Sequence, residues 1–371
     1  MIWKNYLCNL ITIMKKILLN GLQLGKQNSG VQYYTEYLFN ALQQVKSLDF
    51  EFNILENDSV KRKDRSSLKR ILFEVFLLKF YIKKKHFDLY HSPHYILPNR
   101  FKIPAVVTIH DLITLDFPDL CKYQSVFYFN LFLKKTIRNA NIIIAVSHTV
   151  KKDIIRHFDV DAHKIRVIHL GIDPIFKNTL DFDLAIKYRL PERYILFVGN
   201  IEGKKNLTRL LLAFNELINK NKIEHKLVLV GKEGWKNKSV YKTILKYNLK
   251  PYILFTGYVP KKDLPVIYSM SDLFVFPSIY EGFGIPPLEA MACGIPVIVS
   301  NQGASPEICG DACLLVNPYD THEMAKSIEM LLNNKELRQN KINLGLERVK
   351  QFNWEKTAKE TLKVYEEAIS I

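Results

Sequence analysis

The 371-residue chain has no run of about 18 uncharged apolar residues, the length a membrane-spanning helix requires, so no transmembrane span is expected. Cysteine is sparse: Cys8, Cys121, Cys293, Cys309 and Cys313 are odd in number, scattered and without metal-ligand spacing. That excludes a disulfide framework and a zinc module, and fits reduced thiols in a cytosolic protein. No short repeat or low-complexity segment interrupts the chain. Helix-turn-helix, RNA-binding and zinc-finger signatures are missing, so nucleic acid is not an expected partner despite the basic composition. Acid is the scarce charge, with 37 Asp and Glu against 53 Lys and Arg.

The imbalance is uneven. Residues 1–180 carry 27 Lys and Arg against 15 Asp and Glu, and the remainder carries 26 against 22. A basic first half implies an anionic partner or surface. Within it, Lys61-Arg-Lys-Asp-Arg-Ser-Ser-Leu-Lys-Arg70 precedes an apolar stretch, 71–82, and Lys83-Lys-Lys-His86 follows. A basic-flanked apolar helix can dock on an anionic inner leaflet, or can be a core helix with solvated charged ends.

What is abundant is apolar surface: 48% of residues are hydrophobic, enough for two domains of ordinary size. Short apolar runs at 17–19, 50–55, 89–91, 105–109, 142–146 and 166–169 read as buried strands, separated by amphipathic stretches that read as helices. The alternation restarts at 194–198 and continues through 226–230, 253–256, 273–276, 297–299 and 313–316. This predicts an α/β protein of two Rossmann-like, doubly wound domains facing a central cleft, with ligands at the carboxyl ends of the strands. The expected divisions are an extension at 1–13, a first domain at 14–175, a linker at 176–191 and a second domain at 192–353. A final helix, 354–371, is expected to return to the first domain. The extension carries Lys4 and no small-residue cleavage site, and Met14 directly precedes the first strand, so 1–13 is expected to be dispensable.

The sharpest segment is Glu281-Gly-Phe-Gly-Ile-Pro-Pro-Leu-Glu289 after the strand at 273–276. Pro287 suits the first turn of a helix, and Gly282 and Gly284 let backbone come close to a ligand. A carboxylate accepts two hydrogen bonds at once, which matches a vicinal diol. Glu281 and Glu289 on one loop could therefore hold two diols of one ligand, or could be a solvated acid and a complement to the helix dipole. Lys204 and Lys205 stand where a helix begins, a place that disfavours cations unless an anion such as a diphosphate is bound there. Gly30 lies between the first strand and its helix, where backbone N–H groups could meet that diphosphate. His110 ends a strand and precedes Asp111. No metal-ligating cluster stands out.

Glu281-x7-Glu289 within this segment resembles the donor-site signature of family 4 retaining glycosyltransferases of the GT-B fold. The likeness extends over most of the chain, through Tyr194-Ile-Leu-Phe-Val-Gly-Asn-Ile-Glu-Gly-Lys-Lys-Asn-Leu207, Asn301-Gln-Gly-Ala-Ser-Pro-Glu-Ile-Cys-Gly-Asp-Ala312, Val107-Thr-Ile-His-Asp111 and Phe352-Asn-Trp-Glu355. The resemblance implies that Glu281 contacts the donor sugar and Glu289 the ribose. Backbone at Phe283, Gly284 and Ile285 would face sugar and phosphate. Lys204 and Lys205 would hold the diphosphate, Gly30 would approach it from the first domain, and His110 would stand against the sugar. Asp111, His91 and His94 would shape the acceptor side.

The implied activity is metal-independent hexose transfer with retention, without a cofactor, to a glycan or lipid-linked acceptor of lipopolysaccharide, O-antigen or capsule. His110-Asp-Leu112 and Ser92-Pro-His-Tyr-Ile-Leu-Pro98 look most like mannosyltransferases of that group, which favours GDP-mannose as donor. The expected location is cytoplasmic and peripheral on the inner membrane face. A nucleotide-sugar epimerase of the same fold and a non-catalytic nucleotide-sugar-binding scaffold are the alternatives.

Overall fold

The computed structural model describes residues 14–24, 30–45, 49–57, 67–98 and 102–371. The extension 1–13, the basic positions 61–66 and the loop residues 25–29 ahead of Gly30 lie outside them.

Two six-stranded, wholly parallel sheets organise the chain. The first contains β1 (Lys15–Asn20), β2 (Phe50–Leu55), β3 (Leu89–Ser92), β4 (Ala105–Ile109), β5 (Ile142–Ala145) and β6 (Ile165–Val167), in the spatial order β2-β1-β3-β4-β5-β6. The second contains β7 (Tyr194–Val198), β8 (Lys226–Val230), β9 (Ile253–Gly257), β10 (Leu273–Phe276), β11 (Val297–Ser300) and β12 (Leu314–Val316), in the order β12-β11-β10-β7-β8-β9. Strands such as Ala-Val-Val-Thr-Ile in β4 and Tyr-Ile-Leu-Phe-Val in β7 are buried along their whole length. Helices cover both faces of a parallel sheet, so such strands need no polar side.

In each sheet the winding direction reverses once. The reversal falls between β1 and β3 in the first and between β7 and β10 in the second. Loops leaving a reversal point diverge and open a crevice at the carboxyl ends of the strands. The register Leu273↔Ile195 and Phe274↔Leu196 sets the ends of β7 and β10 side by side.

The last helix, Trp354–Ser370, packs against the first sheet's helix Gly30–Gln44 and against β3 and β4. Three elements depart from the sequence reading. β6 lies at Ile165–Val167 rather than 166–169, because the chain beyond it turns away and Ile172 N–H bonds Phe352 O at 3.1 Å. The linker contains a helix, Phe182–Tyr188, capped by Asp181 accepting from Leu184 N–H at 3.0 Å. Phe182 and Ile186 remain exposed, so no burial period marks it. The helix Lys335–Val349 buries only Gly345 and likewise writes no apolar stripe.

Candidate active site

A cleft of about 690 Å³ runs between the domains. Gly30, His110, Asp111, Lys204 and Lys205 line it, together with Glu281, Phe283, Gly284, Ile285 and Glu289. Positions separated by up to 259 residues of chain thus meet in one crevice at the two reversal points.

The β7 and β10 loops are bolted together. Lys204 O accepts Ile279 N–H at 2.9 Å, and the Asn206 amide donates to Pro277 O at 3.1 Å and Pro318 O at 2.6 Å. Lys204 and Lys205 occupy the single tight turn Gly203–Lys205, and the long helix begins only at Leu207. Lys205 Nζ donates to Glu281 Oε1 at 2.6 Å and stands 4.6 Å from the centre of the Phe276 ring. Burial opposes ionisation of Glu281, but the two lysines outweigh it and hold its carboxyl below the usual range. Burial likewise opposes the charge on Lys204, and the carboxylates of Glu281, Asp111 and Glu202 outweigh it, so its ammonium is held more firmly protonated than usual. Lys204 and Lys205 thus stand together on one turn that lines the cleft, among the carboxylates of Glu281, Asp111 and Glu202, and two ammonium groups on one turn suit a diphosphate.

Two glycines make the loop possible. A Cβ built on Gly282 would lie 1.8 Å from the carbonyl oxygen of His110, so the second domain touches the first here at backbone distance. Gly284 has φ +96° immediately before the helix Ile285–Ala292. Pro286 and Pro287 open that helix and supply no N–H, leaving the cleft-lining backbone at Gly284 and Ile285 to face a ligand.

Glu289, in the same helix, is buried, and its Oε2 accepts from Tyr268 Oη at 2.8 Å. Burial pushes its carboxyl up to about 7, against the opposing pull of the Tyr268 hydrogen bond and Lys261. His110 is half-buried, and its Nε2 lies 3.0 Å from Pro93 O. A carbonyl only accepts, so Nε2 carries the proton and Nδ1 holds the lone pair. Burial holds the imidazole at about 4, neutral at physiological pH. Asp111 borders the cleft beneath Gly282. Among the described residues, a Cβ on Gly30 would meet no atom within 4 Å, which leaves room there for a ligand to approach its backbone.

His91 and His94, expected on the acceptor side, do not line the cleft. His91 is fully buried between Tyr365 Oη at 2.7 Å and Thr108 Oγ1 at 2.8 Å, and fastens the last helix to the sheet. His94 is buried against Glu74 Oε1 at 3.0 Å. Both satisfy core polar groups. The sequence contains two Asp-x-Asp pairs, Asp159-Val-Asp161 and Asp181-Phe-Asp183. Asp161 and Asp181 instead cap helical turns, and neither pair lines the cleft.

Sequence reasoning missed Lys261. Its Nζ lies 2.9 Å from Asp173 and 2.8 Å from Tyr37 Oη, over the Tyr37 ring, at the end of the cleft that holds Glu289. It missed Lys122, which enters from the first domain over the Trp235 ring. Neither stands in a motif. Each acquires meaning only through residues from the other domain.

Two family models match the chain, one described as Glycosyltransferase Family 4 over residues 30–176 and one as Glycosyl transferases group 1 over residues 184–348. The chain is 34% identical over 281 residues to O-antigen chain mannosyltransferase B of Escherichia coli, covering 75% of this chain and 74% of that protein. It is 28% identical to O-antigen chain mannosyltransferase RfbU of Salmonella typhimurium over 336 residues, covering 84% and 90%. Among solved structures, a sucrose-phosphate synthase from Thermosynechococcus elongatus superposes with a TM-score of 0.78 at 22% identity, covering 96% of this chain and 99% of that one. The fold is GT-B, and the chain belongs to the family 4, group 1 glycosyltransferases.

Proposed function

We propose that the protein transfers mannose, with retention of anomeric configuration and without a metal ion, from GDP-mannose to a glycan or lipid-linked acceptor of a cell-surface polysaccharide. The observation that carries this reading is the Lys205–Glu281 pair with Lys204 beside it: one carboxylate for sugar hydroxyls set directly against two cations for a diphosphate. The names of the two mannosyltransferase relatives support the choice of sugar and the class of acceptor.

In this reading Glu289 holds the ribose, and the amides at Gly284 and Ile285 meet the sugar and phosphate. His110 offers its Nδ1 lone pair to a sugar hydroxyl. The acceptor hydroxyl attacks C1 from the face that the phosphate is leaving. Its oxygen bonds to C1 as the C1–O bond to phosphate breaks, and its proton passes to a departing phosphate oxygen. Lys204 and Lys205 stabilise the charge that develops on the nucleoside diphosphate. The cations supply by themselves the stabilisation that a metal would supply elsewhere. The protein works at the anionic inner face of the membrane, where a lipid-linked acceptor resides.

The test is incubation with a panel of nucleotide sugars, with and without acceptor, following nucleoside diphosphate and the stereochemistry of the product. Release of GDP from GDP-mannose, an α-linked product and insensitivity to chelators are expected. An isomerised nucleotide sugar, or binding without turnover, would replace this reading with an epimerase or a scaffold. Glu281→Ala is expected to abolish transfer while nucleoside-diphosphate binding persists in a thermal-shift assay.

A further inference from the structure

The Tyr123–Asn139 helix and the helix of residues 67–85 form a surface that nothing in the donor site explains. The latter comprises Ser67–Leu72, a π-helical turn Phe73–Leu77 and Leu78–Lys85. It connects β2 to β3, and Tyr123–Asn139 lies between β4 and β5. Both crossovers move the same way along the sheet, so right-handed connections place both helices on one face. They touch there, with Ile71 and Val75 in one cluster with Tyr128 and Phe132.

Their outward sides are apolar. Leu72, Phe76, Leu77 and Phe80 are exposed on the first helix; Tyr123, Phe127 and Leu131 are exposed on the second, Tyr123 by 84%. The spacings 72, 76, 80 and 123, 127, 131 each trace one stripe. Cations border both stripes: Lys69, Lys79, Lys83, Lys84 and Lys85 on one helix, Lys134, Lys135 and Arg138 on the other. Across the two helices the sole acid is Glu74, and it is turned inward, fully buried against Asn20 and His94. Apolar stripes framed by cations, with the acid withdrawn, match an anionic lipid surface. A protein partner would ordinarily leave a mixed-charge rim. The face also leads to the cleft, since Lys122, one residue before Tyr123, lines it.

We propose that these two helices together are the surface on which the protein lies on an anionic bilayer, with Tyr123, Phe127 and Leu131 entering the headgroup region beside the cleft. This deepens the membrane placement given under the proposed function and rests on it. It adds the Tyr123–Asn139 helix, which the sequence pattern around residues 61–86 did not indicate.

The test is co-sedimentation of the full chain with phosphatidylglycerol vesicles and with phosphatidylcholine vesicles, without donor or acceptor. Binding to the former, weakening with salt, and little binding to the latter are expected. Phe127→Asp with Leu131→Asp should weaken binding at least about tenfold. So should Lys134→Glu with Lys135→Glu, which changes only exposed side chains and keeps the test valid if the first variant folds poorly. GDP release from GDP-mannose should be unchanged in both. Wild-type protein that ignores phosphatidylglycerol, or variants that bind like wild type, would overturn the proposal. So would vesicle-free self-association that Phe127→Asp abolishes, since the face would then join two copies. Because no donor is present, binding by a protein that proves inactive as a transferase would still uphold this surface.

Discussion

Glu307 of the second domain accepts the backbone N–H of His148 of the first, at 2.8 Å. The same carboxylate accepts Thr149 N–H at 3.0 Å and lies 2.9 Å from His169 Nε2. It therefore caps the helix His148–His157 from across the domain boundary, satisfying N–H groups that the helix leaves unbonded. Burial opposes its charge, but the His169 and backbone hydrogen bonds outweigh burial and hold its carboxyl at about 2.

The sign of the pH effect follows. A carboxyl depressed on folding contributes stability that is present above its ordinary pKa and lost as pH falls toward the depressed one. Glu307→Gln should therefore lower stability at pH 7 by roughly 2–3 kcal/mol. The difference from wild type should shrink as pH is taken from about 4.5 toward 2. Urea unfolding at several pH values measures this, and a difference that stays constant with pH would remove the carboxylate's charge from the explanation. Transfer should also slow, because the capped helix helps to fix the angle between the domains.

Gly282→Ala tests the backbone contact with His110. The new Cβ would stand at 1.8 Å from a carbonyl oxygen, so the loop or the domain interface must yield. Displacement of roughly 1 Å at a site that works by positioning costs about 100-fold in rate. The expected outcome is a fall in kcat/KM of that order, with the fold of the full-chain variant intact by circular dichroism. Wild-type kinetics in this variant would mean that the arrangement with Gly282 against the His110 carbonyl is not the one that turns over.

The strand–helix alternation and the Glu281–Glu289 loop were legible in the sequence because each is written locally. Buried parallel strands are short apolar runs, and Gly282, Gly284, Pro286 and Pro287 announce a tight loop entering a helix. Lys205 was legible by its position near a helix start, but its hydrogen bond to Glu281 was not, because that depends on β7 and β10 being neighbours in the sheet. His91 and His94 misled for the converse reason. A histidine at the end of a strand looks the same in sequence whether it faces a cleft or a buried hydroxyl. The Lys261 site combines Tyr37, Asp173 and Lys261 from three distant segments, and no local pattern foreshadows it.

Glu289 should give donor binding a pH dependence of its own. Its carboxyl sits at about 7 because it is buried. On the proposed reading it would accept two ribose hydroxyls only when ionised, so donor KM should rise as pH drops below about 7. Stability moves the other way. The cost of ionising a buried carboxyl is absent below the usual range near 4.5, grows with pH, and is complete above about 7. Glu289→Gln should thus be more stable than wild type at pH 8, by up to about 3 kcal/mol. It should also bind donor more weakly at pH 8, and with no inflection near 7. Isothermal titration of GDP across pH 5.5–8.5 distinguishes this from a contact that titrates elsewhere (about three pH units suffice to bracket it).

The Lys205–Glu281 pair separates stability from catalysis. Both side chains are nearly buried, and each leaves the other exposed to an uncompensated environment when removed. Lys205→Met should cost about 3 kcal/mol, because the Glu281 carboxylate loses its direct partner in a partly dry site. Glu281→Gln should cost less, since Lys204 and Lys205 still have Asp111 and Glu202 nearby. The double variant should recover part of the Lys205→Met loss, giving a coupling of roughly 1–3 kcal/mol by urea unfolding. Transfer should not recover with it: each variant and the double should lose about 100- to 1000-fold in kcat, the scale for a missing electrostatic contact to developing charge. If stability changes simply added, the 2.6 Å contact would be an incidental neighbour rather than a pair. If the double variant regained activity together with stability, the pair would serve the fold alone, and the grip on the donor would have to be sought elsewhere in the cleft.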